Sequence, residues 1–261
     1  MPVPVEAGGI PDSLLERLSI FVLAGQSNMS GYAALPARRQ SHPRVFLFGN
    51  DYRWKLAREP LDDASGQVDE VSRDEAAGFG PGLEFAMSLM QRDSTRVLGL
   101  VPCAMGGSSI HEWRRSLSEN ELYGSCLKRV RAATTIGDVT GLLFFQGEAD
   151  AADPTRAGAR VVSPSNYADL FTAFLSDFRR DVAEPLLPVV FAQIGTHTAP
   201  DYFVNWELVR EQQSGVSLRC VAMITTDDLP LGDAVHYNVE AYRIIGQRFA
   251  EAFAALVRDG C

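Results

Sequence analysis

Short apolar runs alternate along the chain with longer segments whose hydrophobic residues recur every three or four positions. The runs are rich in β-branched and aromatic residues, which favour strands, and most of them end at a glycine or a polar turn. Such a run is typical of a strand that is buried on both faces. The predicted strands are residues 19–24, 45–48, 96–101, 140–145, 188–194 and 220–224.

The longer segments have the periodicity of amphipathic helices that cover a sheet. Strands alternating with such helices predict a three-layer α/β/α fold with a mostly parallel central sheet. Because no repeat and no long linker divides the sequence, we predict one domain over residues 1–261. The predicted helices are a short one after Asp12-Ser13, then residues 80–92, 119–133, 167–180, 203–213 and 239–258.

Composition and charge narrow the possible partners. With 46% hydrophobic and 22% charged residues, the chain has an ordinary globular composition. Its net charge of −9 argues against nucleic acid, because phosphate binding needs a basic stripe and none is visible. No apolar run is long enough to span a membrane, and the first ten residues do not resemble a secretory signal. A cytoplasmic protein is predicted, unless a signal has been removed, and the oligomeric state stays open.

Cysteine and histidine spacings add two expectations. Cys103, Cys126, Cys220 and Cys261 are far apart and form no CxxC pair. In a chain of this length they are predicted to be buried thiols rather than a disulfide framework, with Cys261 exposed. No histidine has the spacing of a zinc site, so no metal is predicted. The acidic segment 59–80 is predicted to be a solvated loop.

The first predicted strand breaks at Gly25 into the polar turn Gln26-Ser27-Asn28. An α/β sheet exposes its working groups at the carboxyl ends of its strands, so Ser27 has the position of a nucleophile. Gly25 allows a tight turn and leaves room for a substrate above it. The same position suits a helix N-cap, for which serine is also favoured. This segment alone leaves both interpretations open.

A base for such a nucleophile is available on the loop before the last predicted helix, where Asp233 precedes His236 by three residues. An aspartate at this spacing can bind Nδ1 of the histidine, which fixes the tautomer and leaves Nε2 facing outward. A hydroxyl needs such a base to react at neutral pH. The alternative is a helix cap with a histidine beside it on the surface.

Two further strand ends offer donors for a developing oxyanion. Strand 96–101 opens into a loop with Gly106 and Gly107, whose N–H groups can approach a ligand closely. Strand 140–145 is followed by Gln146, whose side-chain amide can donate as well. Each loop also fits an ordinary turn. Four strand ends that each supply one part of the machinery together favour acyl transfer.

These segments resemble the ordered blocks of the SGNH hydrolases. More narrowly, they are similar to the sialate O-acetylesterase and acetylxylan esterase group, carbohydrate esterase family 6, from residue 19 to about residue 255. The resemblance implies a flavodoxin-like fold with a central sheet of about five strands. The segments are Gly25-Gln26-Ser27-Asn28-Met29, Gly106-Gly107-Ser108-Ser109-Ile110, Phe145-Gln146-Gly147-Glu148-Ala149-Asp150 and Asp233-Ala234-Val235-His236.

The resemblance implies Ser27 as nucleophile, His236 as base and Asp233 as the residue that orients His236. It implies an oxyanion hole formed by the N–H of Ser27 and by the donors named above, with Gln146 replacing the asparagine that the wider superfamily has in its third block. It implies neither a metal nor an organic cofactor. Trp113 fits a core position equally well, and Glu148 fits a role in holding its loop. The residues predicted to contact substrate are Gln26, Asn28, Glu148 and Trp113.

We therefore predict a serine esterase that removes acetyl or another short acyl group from a small-molecule or carbohydrate ester. One alternative is a lipid or thioester hydrolase with the same three residues, which a chain-length series of acyl esters would distinguish. Another is a carbohydrate-binding protein of the same fold without activity. Failure to react with a fluorophosphonate would favour this last alternative.

Overall fold

A computed structural model describes residues 9–15, 18–156 and 161–261 and shows a seven-stranded sheet. The strands are β1 (Leu18–Gly25), β2 (Val45–Phe48), β3 (Trp54–Leu56), β4 (Val97–Pro102), β5 (Asp138–Phe145), β6 (Val189–Ala192) and β7 (Val221–Ile224). Their order is β3-β2-β4-β1-β5-β6-β7, and all pairs are parallel except the edge pair of β2 and β3. The predicted mostly parallel sheet is confirmed, but about five strands was too few. The missed β3 is too short to show a pattern.

Helices cover both faces of this sheet, as predicted. They are α1 (Asp12–Leu15), α2 (Ser27–Ser30), α3 (Gly82–Arg92), α4 (Leu122–Ala133), α5 (Tyr167–Asp181), α6 (Trp206–Ser214) and α7 (Val239–Arg258). Ile20 and Val22 of β1 belong to a core with α4 and α5, whereas Phe21 and Leu23 belong to a second core with α3 and α7. Successive side chains of a strand point to opposite faces, so a run that is apolar throughout fills both cores.

The topology places several loops at one point of the sheet. β1 lies in the middle, between β4 and β5. The chain completes the β4 side before it crosses to β5, so the strand order reverses beside β1. The loops after β1, β4 and β5 therefore open at the same carboxyl edge, where open α/β sheets bind their ligands. Among the helices that the structure describes, none has the length and apolarity that crossing a bilayer requires.

The four cysteines form two disulfides, so the prediction of buried thiols with an exposed Cys261 was wrong. Cys103 pairs with Cys126, and Cys220 pairs with Cys261, with Cα atoms 5.3 Å and 5.6 Å apart. The partners are 23 and 41 residues apart in sequence, without a short motif that would reveal the pairing. The first disulfide joins the end of β4 to α4. The second joins the residue before β7 to the segment after α7.

The acidic segment 59–80 is not a solvated loop, which corrects a second prediction. One cause of the burial of this segment is the buried cation of Arg129. Arg129 of α4 is only 1% exposed, and its guanidinium lies 3.1 Å from Asp69. Lys128 lies 3.1 Å from the same carboxylate, so the acidic chain folds inward over α4. A burial pattern set by a distant helix leaves no local signature. The buried carboxylates of the segment are Glu59, Asp62, Asp69 and Asp74.

Glu59 makes the stability of the fold depend on pH. Its carboxylate is buried beside the start of α3 and accepts the N–H of Leu61 at 3.1 Å. One of its oxygens has no hydrogen-bond partner in the part of the chain that the structure describes. Burial raises the pKa of Glu59 from 4.5 to about 8. The folded protein therefore binds this proton more tightly than the unfolded chain does. The free energy of unfolding falls as the pH rises between these two pKa values.

We expect Glu59→Gln to remove this dependence, because glutamine keeps the acceptor oxygen and cannot ionise. Across the same pH window the wild-type protein should lose about 2 to 4 kcal/mol more unfolding free energy than the variant. Urea denaturation at several pH values measures both profiles. Asp62, whose pKa burial raises to about 7, is present in both proteins and cancels in the difference. Parallel profiles would contradict the prediction.

Candidate active site

Ser27 begins α2 at the carboxyl end of β1. Gly25 makes the preceding turn possible, because its φ is +128° and a Cβ there would collide with the carbonyl of Phe145 on β5. Gln26 occupies the N-cap position and Ser27 the first helical position, so Ser27 is not the cap that one interpretation of the sequence suggested. The Ser27 side chain lies toward the loop that carries His236.

His236 and Asp233 lie together on the loop between β7 and α7. Nε2 of His236 is 2.9 Å from Oγ of Ser27, and Nδ1 is 2.7 Å from Oδ2 of Asp233. With the ring proton on Nδ1, facing the carboxylate, Nε2 directs its lone pair at the serine hydroxyl. The structure thus brings together three residues predicted to act together, although Ser27 and His236 are 209 positions apart.

Backbone contacts hold Asp233 in place. Its Oδ1 accepts the N–H of Val235 at 2.9 Å and that of His236 at 2.8 Å. Burial raises the pKa of Asp233, but these N–H groups and the His236 ring outweigh that effect, so the pKa lies below its usual value. The group is an anion at neutral pH. Because its side chain is 56% exposed, water weakens its field at the imidazole more than its control of the ring orientation.

Two backbone N–H groups beside the serine are available to an anion. Those of Ser27 and Gly107 donate to no group in the part of the chain that the structure describes. The N–H of Gly106, by contrast, donates to Oδ2 of Asp74 at 3.0 Å. Of the two glycines predicted for this role, the geometry favours Gly107. Gly106 instead anchors the loop after β4.

Gln146 does not have the placement predicted for an oxyanion donor. It is fully buried, and its Nε2 donates to the carbonyl of Ser108 at 2.9 Å and to Oδ2 of Asp150 at 2.7 Å. Both hydrogens of the amide are therefore used inside the protein. The prediction chose a residue at the correct strand end, but its side chain turns into the interior.

Gln26, predicted only as a substrate contact, has the placement that Gln146 lacks. Its Oε1 accepts the N–H groups of Gly147 at 3.3 Å and Ala149 at 3.2 Å, and Nε2 of Gln146 lies 3.3 Å from the same oxygen. With the oxygen held in this way, Nε2 of Gln26 has no hydrogen-bond partner among the described residues and keeps access to solvent. The backbone of the loop after β5 thus orients the Gln26 amide beside Ser27. The sequence signal was the position next to Ser27.

The other predicted substrate contacts are buried and face the protein, which corrects the prediction. Trp113 is fully buried, with its ring edge-on to two core phenylalanines. Asn28 is 1% exposed and donates to Oε1 of Glu148 at 2.5 Å and to the carbonyl of Val235 at 3.2 Å. Asn28 and Glu148 therefore join the turn after β1 to the loops that follow β5 and β7.

Glu148 is a buried acid behind the reacting groups. Burial raises its pKa above the usual value, while the hydrogen bond from Asn28 and the charge of His236 act in the opposite direction. Its second oxygen, Oε2, has no hydrogen-bond partner among the described residues. The side chain is 2% exposed and, through Asn28, holds the turn after β1.

Ser27, His236 and the N–H of Gly107 bring a hydroxyl, a base and a hydrogen-bond donor together in one cleft at the carboxyl edge of the sheet. A hydroxyl within reach of an oriented imidazole can attack an acyl carbon, and free N–H groups beside it can bind the oxygen that becomes negative. No group of three or more histidine, cysteine, aspartate or glutamate side chains is placed to hold a metal ion in residues 9–15, 18–156 and 161–261. That the chemistry needs neither a metal nor an organic cofactor stays a prediction.

Comparisons with known proteins point to one family. Residues 17–255 match the family model described as carbohydrate esterase, sialic acid-specific acetylesterase. A probable carbohydrate esterase of Arabidopsis thaliana is 30% identical over 253 residues, which are 90% of this chain and 89% of the relative. The X-ray structure of that plant protein matches with a TM-score of 0.77 at 29% identity, over 92% of this chain and 98% of that one.

More distant structures share the fold. NanS matches with a TM-score of 0.68 at 18% identity, over 94% of this chain and 98% of that one. A carbohydrate acetylesterase of Xanthomonas citri matches with a TM-score of 0.67 at 20% identity, over 92% of this chain and 57% of that one. These similarities confirm the predicted α/β fold.

Proposed function

Because the chain belongs to the carbohydrate esterase family of sialic acid-specific acetylesterases, we propose that it hydrolyses acetyl esters on a carbohydrate with Ser27 as nucleophile. The observation that carries the proposal is the hydrogen-bonded series of Ser27, His236 and Asp233, with distances of 2.9 Å and 2.7 Å. The family supports an esterase that acts on carbohydrate acetates. The roles of the individual residues are the proposal.

In the first half of the reaction, Oγ of Ser27 attacks the carbonyl carbon of the acetyl group. Nε2 of His236 takes the hydroxyl proton as the new bond forms, which produces an imidazolium and a tetrahedral intermediate. Asp233 holds the imidazole in the reactive tautomer and stabilises its positive charge. The intermediate collapses when the sugar oxygen leaves with the proton from Nε2, and the acetyl group stays on Ser27.

The intermediate carries a negative oxygen that needs donors. The N–H groups of Ser27 and Gly107 and the amide of Gln26 are the candidates, because none of the three donates to a described residue. Donors that are already in place cost no reorganisation when the charge develops. The N–H groups of Gly147 and Ala149 support this set indirectly by holding the oxygen of Gln26.

In the second half, water replaces the sugar. His236 takes a proton from a water molecule, whose oxygen attacks the acetyl carbon on Ser27. The second tetrahedral intermediate uses the same donors. Its collapse breaks the bond to Oγ, returns the proton from His236 to Ser27 and releases acetic acid, which ionises to acetate in water. The enzyme ends in its starting state.

A substrate screen tests this proposal. Acetate release would be measured from O-acetylated sialic acid, from acetylated neutral sugars and from p-nitrophenyl esters of increasing acyl length. We expect turnover of acetyl esters and a steep loss of rate with longer chains. A preference for long chains or thioesters would favour the lipid or thioester alternative. No turnover together with no labelling by a fluorophosphonate would favour a non-catalytic binding protein.

Replacing Gln26 tests the oxyanion donors. We expect Gln26→Ala to lower kcat for p-nitrophenyl acetate by about 10²-fold with little change in KM, because the lost donor acts mainly in the transition state. Gln193→Ala is the matched control. It removes another buried glutamine, whose Nε2 donates to the carbonyl of Arg210 at 2.9 Å, away from the cleft. Equal losses in both variants would show that Gln26 matters only for folding.

The two disulfides bear on the cellular location, for which the sequence predicted the cytoplasm. Disulfides persist in oxidising compartments and are rare in the cytosol. Two disulfides in one chain therefore favour an oxidising compartment for this esterase. A small-molecule or carbohydrate ester stays the predicted partner. The single domain over residues 1–261 also stays a prediction.

A further inference from the structure

Tyr32 lies flat against the imidazole of His236. The ring centroids are 4.5 Å apart, and the planes are inclined by 29°. Ser27 and Asp233 bind the two nitrogens at the edge of the imidazole, so Tyr32 occupies a face that neither of them uses. The residue follows α2 directly after Gly31, and sequence analysis gave it no role.

The hydroxyl of Tyr32 is tied to a buried carboxylate. It donates to Oδ1 of Asp74 at 2.9 Å, and Asp74 is only 5% exposed. The other oxygen, Oδ2, accepts the hydroxyl of Ser30 and the N–H of Gly106, each at 3.0 Å. Burial and the charge of Asp74 raise the pKa of Tyr32 well above its usual value. Tyr32 therefore stays a neutral donor at any pH at which the enzyme would work.

A ring in this position distinguishes between the two forms of the imidazole. The face of an aromatic ring is electronegative and attracts a cation. Donation of the hydroxyl hydrogen to a carboxylate makes the ring richer in electrons. In the reaction proposed above, His236 becomes a cation only after it has taken the proton of Ser27. An attraction that grows with this charge lowers the energy of the transition state more than that of the resting enzyme.

On the basis of the proposed function, we infer that Tyr32, held by Asp74, is a positioning residue that stabilises the protonated form of His236 during acyl transfer. Asp74 also fixes Gly106, so one carboxylate connects the surface that supports the base with the loop that carries the predicted oxyanion donor. The link joins the segment 59–80 to the chemistry, although that segment contains none of the reacting groups.

Other charged groups near the imidazole have to be kept constant in a test. Asp233 faces it from its own loop, and Glu148 acts on it from the loop after β5. Asp74 acts through Tyr32, and Asp62 is a weaker influence on Tyr32 from the same segment. All of these groups are acids. Substituting Tyr32 leaves every one of them in place.

The test compares Tyr32→Phe and Tyr32→Leu with the wild-type protein. The acid limb of the pH profile of kcat/KM for p-nitrophenyl acetate reports the pKa of His236 in the free enzyme. NMR titration of the His236 ring measures the same pKa without turnover. Loss of the ring should destabilise the imidazolium, so Tyr32→Leu should move both midpoints to lower pH by about 0.5 to 1 unit. We expect kcat to fall about 3- to 10-fold at the plateau, with KM within about twofold.

Tyr32→Phe keeps the ring and loses only the link to Asp74, so a smaller shift in the same direction is expected. Tyr123→Phe is the matched control, because its hydroxyl donates to Asp181 at 2.7 Å between α4 and α5 and should leave both midpoints unchanged. If Tyr32→Leu loses activity while both midpoints stay at the wild-type value, Tyr32 only packs and the inference is wrong. If the wild-type protein has no esterase activity, the proposed function fails, and the NMR titration still decides the effect of Tyr32.

Discussion

Ser27→Ala is expected to lower kcat for p-nitrophenyl acetate by about 10⁵-fold or more, because the proposed acyl-enzyme forms on the Ser27 hydroxyl. His236 would keep its orientation, since its hydrogen bond to Asp233 does not involve the serine. The variant loses a single hydroxyl at a buried position, so the fold should persist with an unchanged circular dichroism spectrum. Steady-state kinetics and labelling by a fluorophosphonate measure the loss.

Ser125→Ala is a suitable control for this experiment. Ser125 lies on α4 and is also buried, and its hydroxyl has no hydrogen-bond partner within residues 9–15, 18–156 and 161–261. We expect its activity and its labelling to match those of the wild-type protein. Turnover or labelling that survives in Ser27→Ala would remove Ser27 from the role of nucleophile and would direct attention to another hydroxyl in the cleft.

Asp233→Asn is expected to have the next largest effect, about 10³-fold in kcat. In the wild-type protein Oδ1 of Asp233 accepts two backbone N–H groups, while Oδ2 faces Nδ1 of His236. An asparagine would keep its oxygen toward the N–H groups and turn its amide nitrogen toward the imidazole. Nδ1 would then have to accept a hydrogen bond, which places the ring proton on Nε2. In that tautomer the histidine cannot take the proton of Ser27.

We expect a smaller loss than the roughly 10⁴-fold typical of a buried aspartate, because Asp233 is half exposed and water screens its charge. Asp228→Asn is the matched control. Asp228 is an exposed aspartate on the same long loop, pairs with Arg248 of α7 at 2.6 Å and does not contact the imidazole. Its activity should stay within about twofold of wild type. The melting temperatures of both variants should be similar. An Asp233→Asn enzyme with normal kcat would show that His236 needs no orienting partner.

The regular elements could be predicted from the sequence because their burial leaves a local pattern. The predicted bounds of β2 and α7 agree with the observed bounds, and most other elements agree within a few residues. A buried parallel strand must be apolar on both faces, and a covering helix must be apolar on one face. The edge strand β3 was missed because its three residues are too few to show a hydrophobic pattern.

The participants in the site could also be predicted, but not all of their positions. The proposed nucleophile, base and orienting carboxylate were predicted from two local rules. Parallel strands expose their carboxyl ends, and an aspartate three residues before a histidine can reach its ring. Local rules could not decide whether Gln26 or Gln146 is the better candidate for the oxyanion donor. The answer depended on the hydrogen-bond partners that each amide finds inside the protein, and those partners come from other loops.

By itself, then, the sequence determined the layer architecture, the sheet edge that carries the proposed site and the residue types available there. Tertiary structure alone decided the disulfide pairing, the burial of the acidic segment, the choice between Gly106 and Gly107, and the stacking of Tyr32 on His236. The physical reason is one of range. Periodicity and turn preferences act between neighbours in sequence, whereas a hydrogen bond, an ion pair or a ring contact depends on where a distant segment is placed.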